Sequence, residues 1–183
     1  AVRVYRALLV RCPDLAEAHN NLGLALLDQG MDTEAEASFR RALELNPGLA
    51  DACNNLGTLL VSRGAHEAAV PLFRRALALN PGYLPAYANL GSCLQVLEEP
   101  AQAVALYREA IARDPRFFEA RVNLGTAYQD LMQPHDAIAT YEELLALAPE
   151  RPDAHWNLAL SLLSIGEYRR GWQEYEWRLA GAK

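Results

Sequence analysis

Apolar and small residues recur along this chain at intervals of three and four, in blocks of about a dozen residues separated by short breaks, the spacing of amphipathic helices. The blocks come in pairs, and the pairs repeat. The stretch AHNNLGLALLDQG (18–30) returns as ACNNLGTLLVSRG (52–64), AYANLGSCLQVLE (86–98), ARVNLGTAYQDLM (120–132) and AHWNLALSLLSIG (154–166). Leu22, Leu56, Leu90, Leu124 and Leu158 stand 34 residues apart, and Pro13, Pro47, Pro81, Pro115 and Pro149 keep the same step. The second block of each pair ends just before such a proline, which cannot extend a helix and restrains the residue before it. The chain therefore reads as helix hairpins. One hairpin cannot bury its own apolar face, so a fixed period of this size predicts a solenoid of stacked hairpins.

The recurring residues resemble those of the tetratricopeptide repeat (TPR). Gly23, Gly57, Gly91, Gly125 and Ala159 hold a small position inside the first helix, and Ala35, Ala69, Ala103, Ala137 and Gly171 hold one on the second. Phe39, Phe73, Tyr107, Tyr141 and Tyr175 follow four residues later. The resemblance covers five units, 16–49, 50–83, 84–117, 118–151 and 152–183, with 1–15 as the second helix of a truncated unit. It implies an all-α, right-handed solenoid forming one domain. Helix-interior glycine costs roughly 1 kcal/mol against alanine, so close approach of the paired helix is expected to offset it, the aromatics filling the gap where the helices splay. A third small position, Ala42, Ala76 and Ala110, becomes Leu144 and Arg178 in the last units, where looser or differently angled packing is expected. Pro100, Pro134, Pro85 and Pro152 fall in first turns, where a missing N–H is no loss. Pro71 lies about a turn into its helix and is expected to kink it or delay its start.

Offsets of three and four place Glu17, Asn20, Asn21, Leu24, Leu27 and Asp28 on one face of the first helix. The glycine face turns toward the partner helix, which leaves this one for the hollow of the solenoid, where TPR proteins bind extended peptides. Asn21, Asn55, Asn89, Asn123 and Asn157 then form a row, one per repeat, with Asn20 and Asn54 beside it. A carboxamide carries donors and an acceptor, so each can pair with a peptide backbone whatever its side chains; the row resembles the asparagine ladder of O-linked N-acetylglucosamine transferases. The same asparagines can instead bond their own helix or the next one, and both readings stand. Glu17, Asp51, Glu119 and Asp153 recur at one position of this face, and Asp28 and Asp130 at another, with no Lys or Arg among them. The basic clamp of chaperone-tail-binding TPR domains is absent, and a basic or neutral polar segment is the expected partner.

Composition narrows the function. In 183 residues, half of them apolar, the formal net charge is −6, unsuited to nucleic acid, whose affinity rests on neutralising phosphates. No apolar run is long enough to span a membrane, and the opening AVRVYRALLVRC, with charges inside its apolar pattern, is not expected to be a leader. Cys12, Cys53 and Cys93 form neither a metal spacing nor a disulfide framework, so all three read as small buried hydrophobes of a cytoplasmic protein. His19, His66, His135 and His155 sit in different units without a helical-turn pair; His19 and His155, at equivalent positions, read as packing residues. No phosphate-cradling Gly-rich loop, Cys–His nucleophile arrangement or H-E-x-x-H motif is found, so neither a catalytic residue, a metal nor a cofactor is expected.

The segment WNLALSLLSIGEYRRGWQEYEWRL (156–179) resembles the final TPR unit of bacterial proteins whose repeats run into a glycosyltransferase domain. That resemblance implies that Trp172, Tyr175 and Trp177 pack against such a domain; alternatively they close the last hairpin's own core. At the other end Val2, Tyr5, Leu8 and Leu9 form an apolar stripe on a helix without its partner, so both ends read as cut from a longer protein. Three functions follow: a non-catalytic scaffold holding an extended segment, the substrate-recognition arm of a glycosyltransferase, or a module that self-associates end to end through these residues.

Overall fold

The computed structural model describes residues 1–177, and among them only helices and turns occur. The helices are α1 (Val2–Arg11), α2 (Ala16–Leu27), α3 (Asp32–Leu45), α4 (Ala50–Ser62), α5 (His66–Leu79), α6 (Leu84–Val96), α7 (Pro100–Arg113), α8 (Phe118–Asp130), α9 (Pro134–Leu147), α10 (Pro152–Ser164) and α11 (Tyr168–Tyr175). Two compact units divide the chain, Ala1–Cys93 and Leu94–Lys183, the division falling inside α6.

Within each unit the hairpins close on an aromatic ring. Phe39, Phe73, Tyr107 and Tyr141 are entirely buried. A methyl group on Gly23 would stand 2.5 Å from Cε1 of Phe39, and one on Gly57 2.7 Å from Cε1 of Phe73. The glycine therefore admits the ring itself. That corrects the expectation that it admits the partner helix and that the ring fills a gap elsewhere. The fifth copy rearranges these parts. Ala159 replaces the glycine, Tyr175 is only half-buried, and the small residue moves across to Gly171, where a methyl would meet Leu163 Cδ2 at 2.8 Å.

At the third small position Ala42, Ala76, Ala110 and Leu144 are all fully buried, so the fourth copy absorbs the larger side chain instead of loosening; Arg178 lies outside the described residues. α5 begins at His66, ahead of Pro71, so the proline does not delay its start. Pro100, Pro134 and Pro152 open their helices. Val2, expected at an exposed end, is 7 % exposed and shares a core with Leu22, Leu26 and Phe39, against which Tyr5 also packs. Cys53 and Cys93 are buried, the Cys93 thiol pushed up to about 11 by burial, whereas Cys12 is exposed, contrary to the expectation for it.

The turn inside each hairpin follows one rule. The amides of Met31, Ala65, Glu99, Gln133 and Glu167 donate to carbonyls five residues back, those of Leu26, Leu60, Leu94, Tyr128 and Leu162, at 2.8–3.0 Å. This is the six-to-one bond of the Schellman motif, which needs left-handed backbone at the residue before it. Gly30, Gly64 and Gly166 supply that conformation, but Glu98 (φ 61°) and Met132 (φ 56°) adopt it with a side chain attached. The left-handed conformation costs an L-residue about 1–2 kcal/mol.

Two stability changes are expected. Gly57→Ala lowers stability by about 1 kcal/mol in denaturant titration, overpacking against the Phe73 ring outweighing the gain in helix propensity, and Phe73→Leu in the same chain recovers part of it. Met132→Gly, at an exposed site, raises stability by about 1 kcal/mol by relieving the left-handed strain; the same gain at Ala65, where no strain exists, would count against this cause.

Candidate functional site

The face predicted to line the hollow is bonded differently in the two units. In the first, Asn55 Nδ2 donates to Asn20 Oδ1 at 2.9 Å, and Asn89 Nδ2 donates to Asn54 Oδ1 at 2.9 Å. Each bond joins the first helix of one repeat to that of the next. Asn20 and Asn54 are buried at 6 % and 7 % exposure, so these two carboxamides serve the joint between repeats and offer little to a ligand. Asn21 is exposed, while Asn55 and Asn89 are half-buried; Asn55 keeps a second N–H and a carbonyl oxygen, whereas Asn89 Nδ2 also reaches Thr58 Oγ1 at 3.4 Å and keeps its carbonyl oxygen. Asp51 lies at the edge of the same face, hydrogen-bonded by Tyr83, whose hydroxyl is pushed up to about 12 by burial and by that carboxylate.

In the second unit the acceptor for such a bond is missing, because Val122 stands where Asn157 would find the inner asparagine. Gln129 does the joining instead, its Nε2 donating to Ser161 Oγ at 2.8 Å. Gln95 Nε2 donates to Asp130 Oδ2 at 2.7 Å, and its Oε1 accepts from the Tyr107 hydroxyl at 2.8 Å. The side chains of Asn123 and Asn157 are half-buried and make no hydrogen bond among the described residues. Nearby, Met132, Pro134 and Leu160 line an open cavity of about 420 Å³, with Gln129, Ser161 and Ser164 as its polar wall.

The acids of the face are unequal. Glu17, Asp28 and Glu119 are exposed. Asp153 is held by the Arg151 guanidinium, Nε to Oδ1 at 3.0 Å and a second N–H to Oδ2, which keeps its carboxyl below the usual carboxylate range. An arginine thus does reach the edge of this face. Arg151 also lies over the Phe118 ring, 5.8 Å from its centroid.

One set of polar residues escaped the sequence reading. His19, Tyr87, Arg121 and His155 occupy the fourth position of their repeats, and each donates to the carbonyl of the proline six residues earlier. Where Cys53 holds that position, Arg75 reaches the Pro47 carbonyl instead, at 2.6 Å. The turn between repeats exposes this carbonyl because the helix has ended, and a donor at this place satisfies it. The legible signal is a polar donor six residues after Pro13, Pro81, Pro115 and Pro149.

The aromatic segment closes on itself in part. The Trp177 ring stacks on His155 with centroids 4.0 Å apart and planes 2° from parallel. Tyr175 lies between Trp156 and Trp172, at 5.0 and 5.3 Å. Trp172 itself stays 55 % exposed. Among the described residues no cluster of His, Cys, Asp or Glu could hold a metal ion, and no helix is long and apolar enough to cross a membrane.

No curated protein matches the chain. Solved structures do. YrrB, described as a TPR protein with an unusual peptide-binding site, is 19 % identical with a TM-score of 0.80, over 98 % of this chain and 93 % of its own. MamA from Desulfovibrio magneticus RS-1 is 20 % identical with a TM-score of 0.80, over 88 % and 91 %. PilF from Pseudomonas aeruginosa is 26 % identical with a TM-score of 0.80, over 91 % and 76 %. Models of the tetratricopeptide repeat match residues 16–49 and then 33–83, 54–116, 89–131 and 122–171 in overlapping pairs. With its helix order, glycine-seated rings and repeated turns all in the same register, the chain belongs to the tetratricopeptide repeat family and has the family's all-α solenoid fold.

Proposed function

We propose that the chain is a protein-interaction scaffold whose first-helix faces hold an extended segment of another protein. The observation that carries this is the orientation of the asparagine row. Asn55 and Asn89 are pinned through their Nδ2 groups by the preceding repeat, so the hydrogen-bonding groups that remain have a fixed direction. The entropy of ordering those side chains is met in folding and not at binding. A fold relative described as having a peptide-binding site lends the reading support.

Magnitudes divide the labour. A hydrogen bond adds about 0.5–1.5 kcal/mol net, whereas ordering a peptide costs about 1–2 kcal/mol per residue in backbone entropy. The amides therefore set register, and affinity comes from side-chain burial. The cavity beside Leu160 offers apolar surface to aliphatic side chains, each worth up to about 1.5–3 kcal/mol if fully buried. Exposed Glu17, Asp28 and Glu119, with Asp153 already paired, favour a neutral polar or modestly basic segment.

The exposed Trp172 favours a second reading, in which α11 docks on a further domain as the substrate-recognition arm of a bacterial glycosyltransferase. Self-association through the same residue is the third.

Asn123→Ala combined with Asn157→Ala removes no bond of the folded chain. Its melting temperature is expected to stay within a degree or two of wild type, while its binding on a peptide array falls about tenfold, or about 1.4 kcal/mol. Unchanged binding by this double variant and by Asn55→Ala with Asn89→Ala would overturn the proposal. In sedimentation velocity the isolated chain is expected to run as a monomer at all concentrations. A concentration-dependent coefficient that Trp172→Ala abolishes would favour the self-association reading instead.

A further inference from the structure

In the second unit the fourth residue of a repeat meets the second helix of its own hairpin, and two successive repeats differ at that meeting point. In the last repeat His155 is buried, with Nδ1 at 2.5 Å from a carboxylate oxygen of Glu174 and Nε2 at 2.7 Å from the Pro149 carbonyl. Thirty-four residues earlier the same two places hold Arg121 and Thr140. Arg121 is only 7 % exposed, and a guanidinium keeps its charge at any pH a folded protein meets. One of its N–H groups donates to the Pro115 carbonyl. Thr140 cannot answer the charge, because its hydroxyl donates to the Asp136 carbonyl at 2.8 Å. The Nε–H of Arg121 is buried without an acceptor, and no carboxylate among the described residues pairs with the guanidinium.

A buried cation without a counter-charge is strongly unfavourable. Beside it, between α7, α8 and α9, opens a cavity of about 370 Å³ lined by Arg121, Thr140, Tyr128, Arg108, Asp136 and Glu143. Arg108 lies over the Tyr128 ring, 5.5 Å from its centroid, and also lacks an ion-pair partner among the described residues. The cavity sits within the size range of small-molecule sites, about 300–1,000 Å³.

We propose that this cavity binds a small carboxylate, which answers Arg121 as Glu174 answers His155. A guanidinium offers parallel N–H groups that match the two oxygens of a carboxylate. Asp136 and Glu143 on the same lining repel multiply charged anions and accept a cationic group. The ligand class is therefore a monocarboxylate whose other end is neutral or positively charged, as in a free amino acid. None of its lining residues belongs to the asparagine row or to the acids beside it, so the site stands or falls independently of peptide binding.

The arginine Nε–H resonances of nitrogen-15-labelled protein test this, with glycine, acetate and inorganic phosphate as probes. The Arg121 signal, assigned by its loss in Arg121→Gln, is expected to shift saturably with glycine and acetate in the millimolar range, and less with phosphate. Thr140→Glu places a carboxylate where the last repeat has Glu174. In that variant the signal is expected to move without ligand, the melting temperature to rise, and the response to glycine to weaken at least about tenfold. A response that never saturates, an equal response in Thr140→Glu, or tighter binding of phosphate than of glycine would each overturn the proposal. Should Arg121→Gln fail to fold, the comparison between wild type and Thr140→Glu decides by itself.

Discussion

An aromatic ring seated on bare helix backbone sets the dimensions of this protein. At Gly23 and Gly57 the ring of the second helix occupies the space a methyl group would need. The two helices of the hairpin can then lie at one separation only, because packed interiors resist both voids and overpacking. That separation fixes the thickness of a repeat and hence where the next first helix can sit. No N-cap side chain bonds its helix in the described hairpins of residues 16–79 and 100–177, so packing carries the stability that capping would otherwise share. The fifth copy makes the same point by exception. With Ala159 in the glycine's place the ring of Tyr175 moves out to half burial, and Gly171 becomes the new point of close approach.

Much of this was readable because a period of 34 repeats the same statement five times. Helix number, hairpin pairing, the proline boundaries and the fully buried aromatics all follow from it. What the period conceals is any position where backbone geometry overrides residue preference. The left-handed turn residue is glycine in three copies, but Glu98 and Met132 hide it in the others. The closing amide bond five residues long is formed in all five, so hairpin closure imposes the conformation and the residue complies. That α5 starts at His66, ahead of Pro71, has a related reason. Helix start is decided by the hairpin turn at residues 63–65 and the packing of Ala69 and Phe73, and a proline one turn later cannot move it.

The candidate site was legible as a row but not as a set of bonds. That Asn21, Asn55, Asn89, Asn123 and Asn157 share a helix face follows from spacing. That Asn55 reaches Asn20, one repeat and one residue back, requires knowing how closely adjacent first helices approach, which no single helix reveals. The proline-carbonyl donors fell between categories. His19 and His155 were visible as equivalents, but Tyr87 and Arg121 share their role through a different chemistry, and residue type alone does not unite a phenol, a guanidinium and an imidazole. Their common property is an N–H or O–H long enough to span one turn, a geometric trait that appears only when the carbonyl they reach is in view.

The two units answer the same structural demand with different polar groups, and the difference bears on binding. Where asparagine pairs join repeats, the joint draws on the very carboxamides that face outward, so the face is rigid and its remaining donors are aimed. Where Gln129 and Ser161 join them instead, the carboxamides of Asn123 and Asn157 are released from structural duty and turn more freely. Under the proposed function, a rigid face favours one backbone register through low ordering cost, and a freer one admits more partners and draws affinity from an apolar pocket such as the one beside Leu160. A segment bound as proposed thus meets a different balance of direction and grip on each. Moving the asparagine pair into the second unit, through Val122→Asn with Asn157 as donor, exchanges one balance for the other without touching the glycine-seated rings beneath.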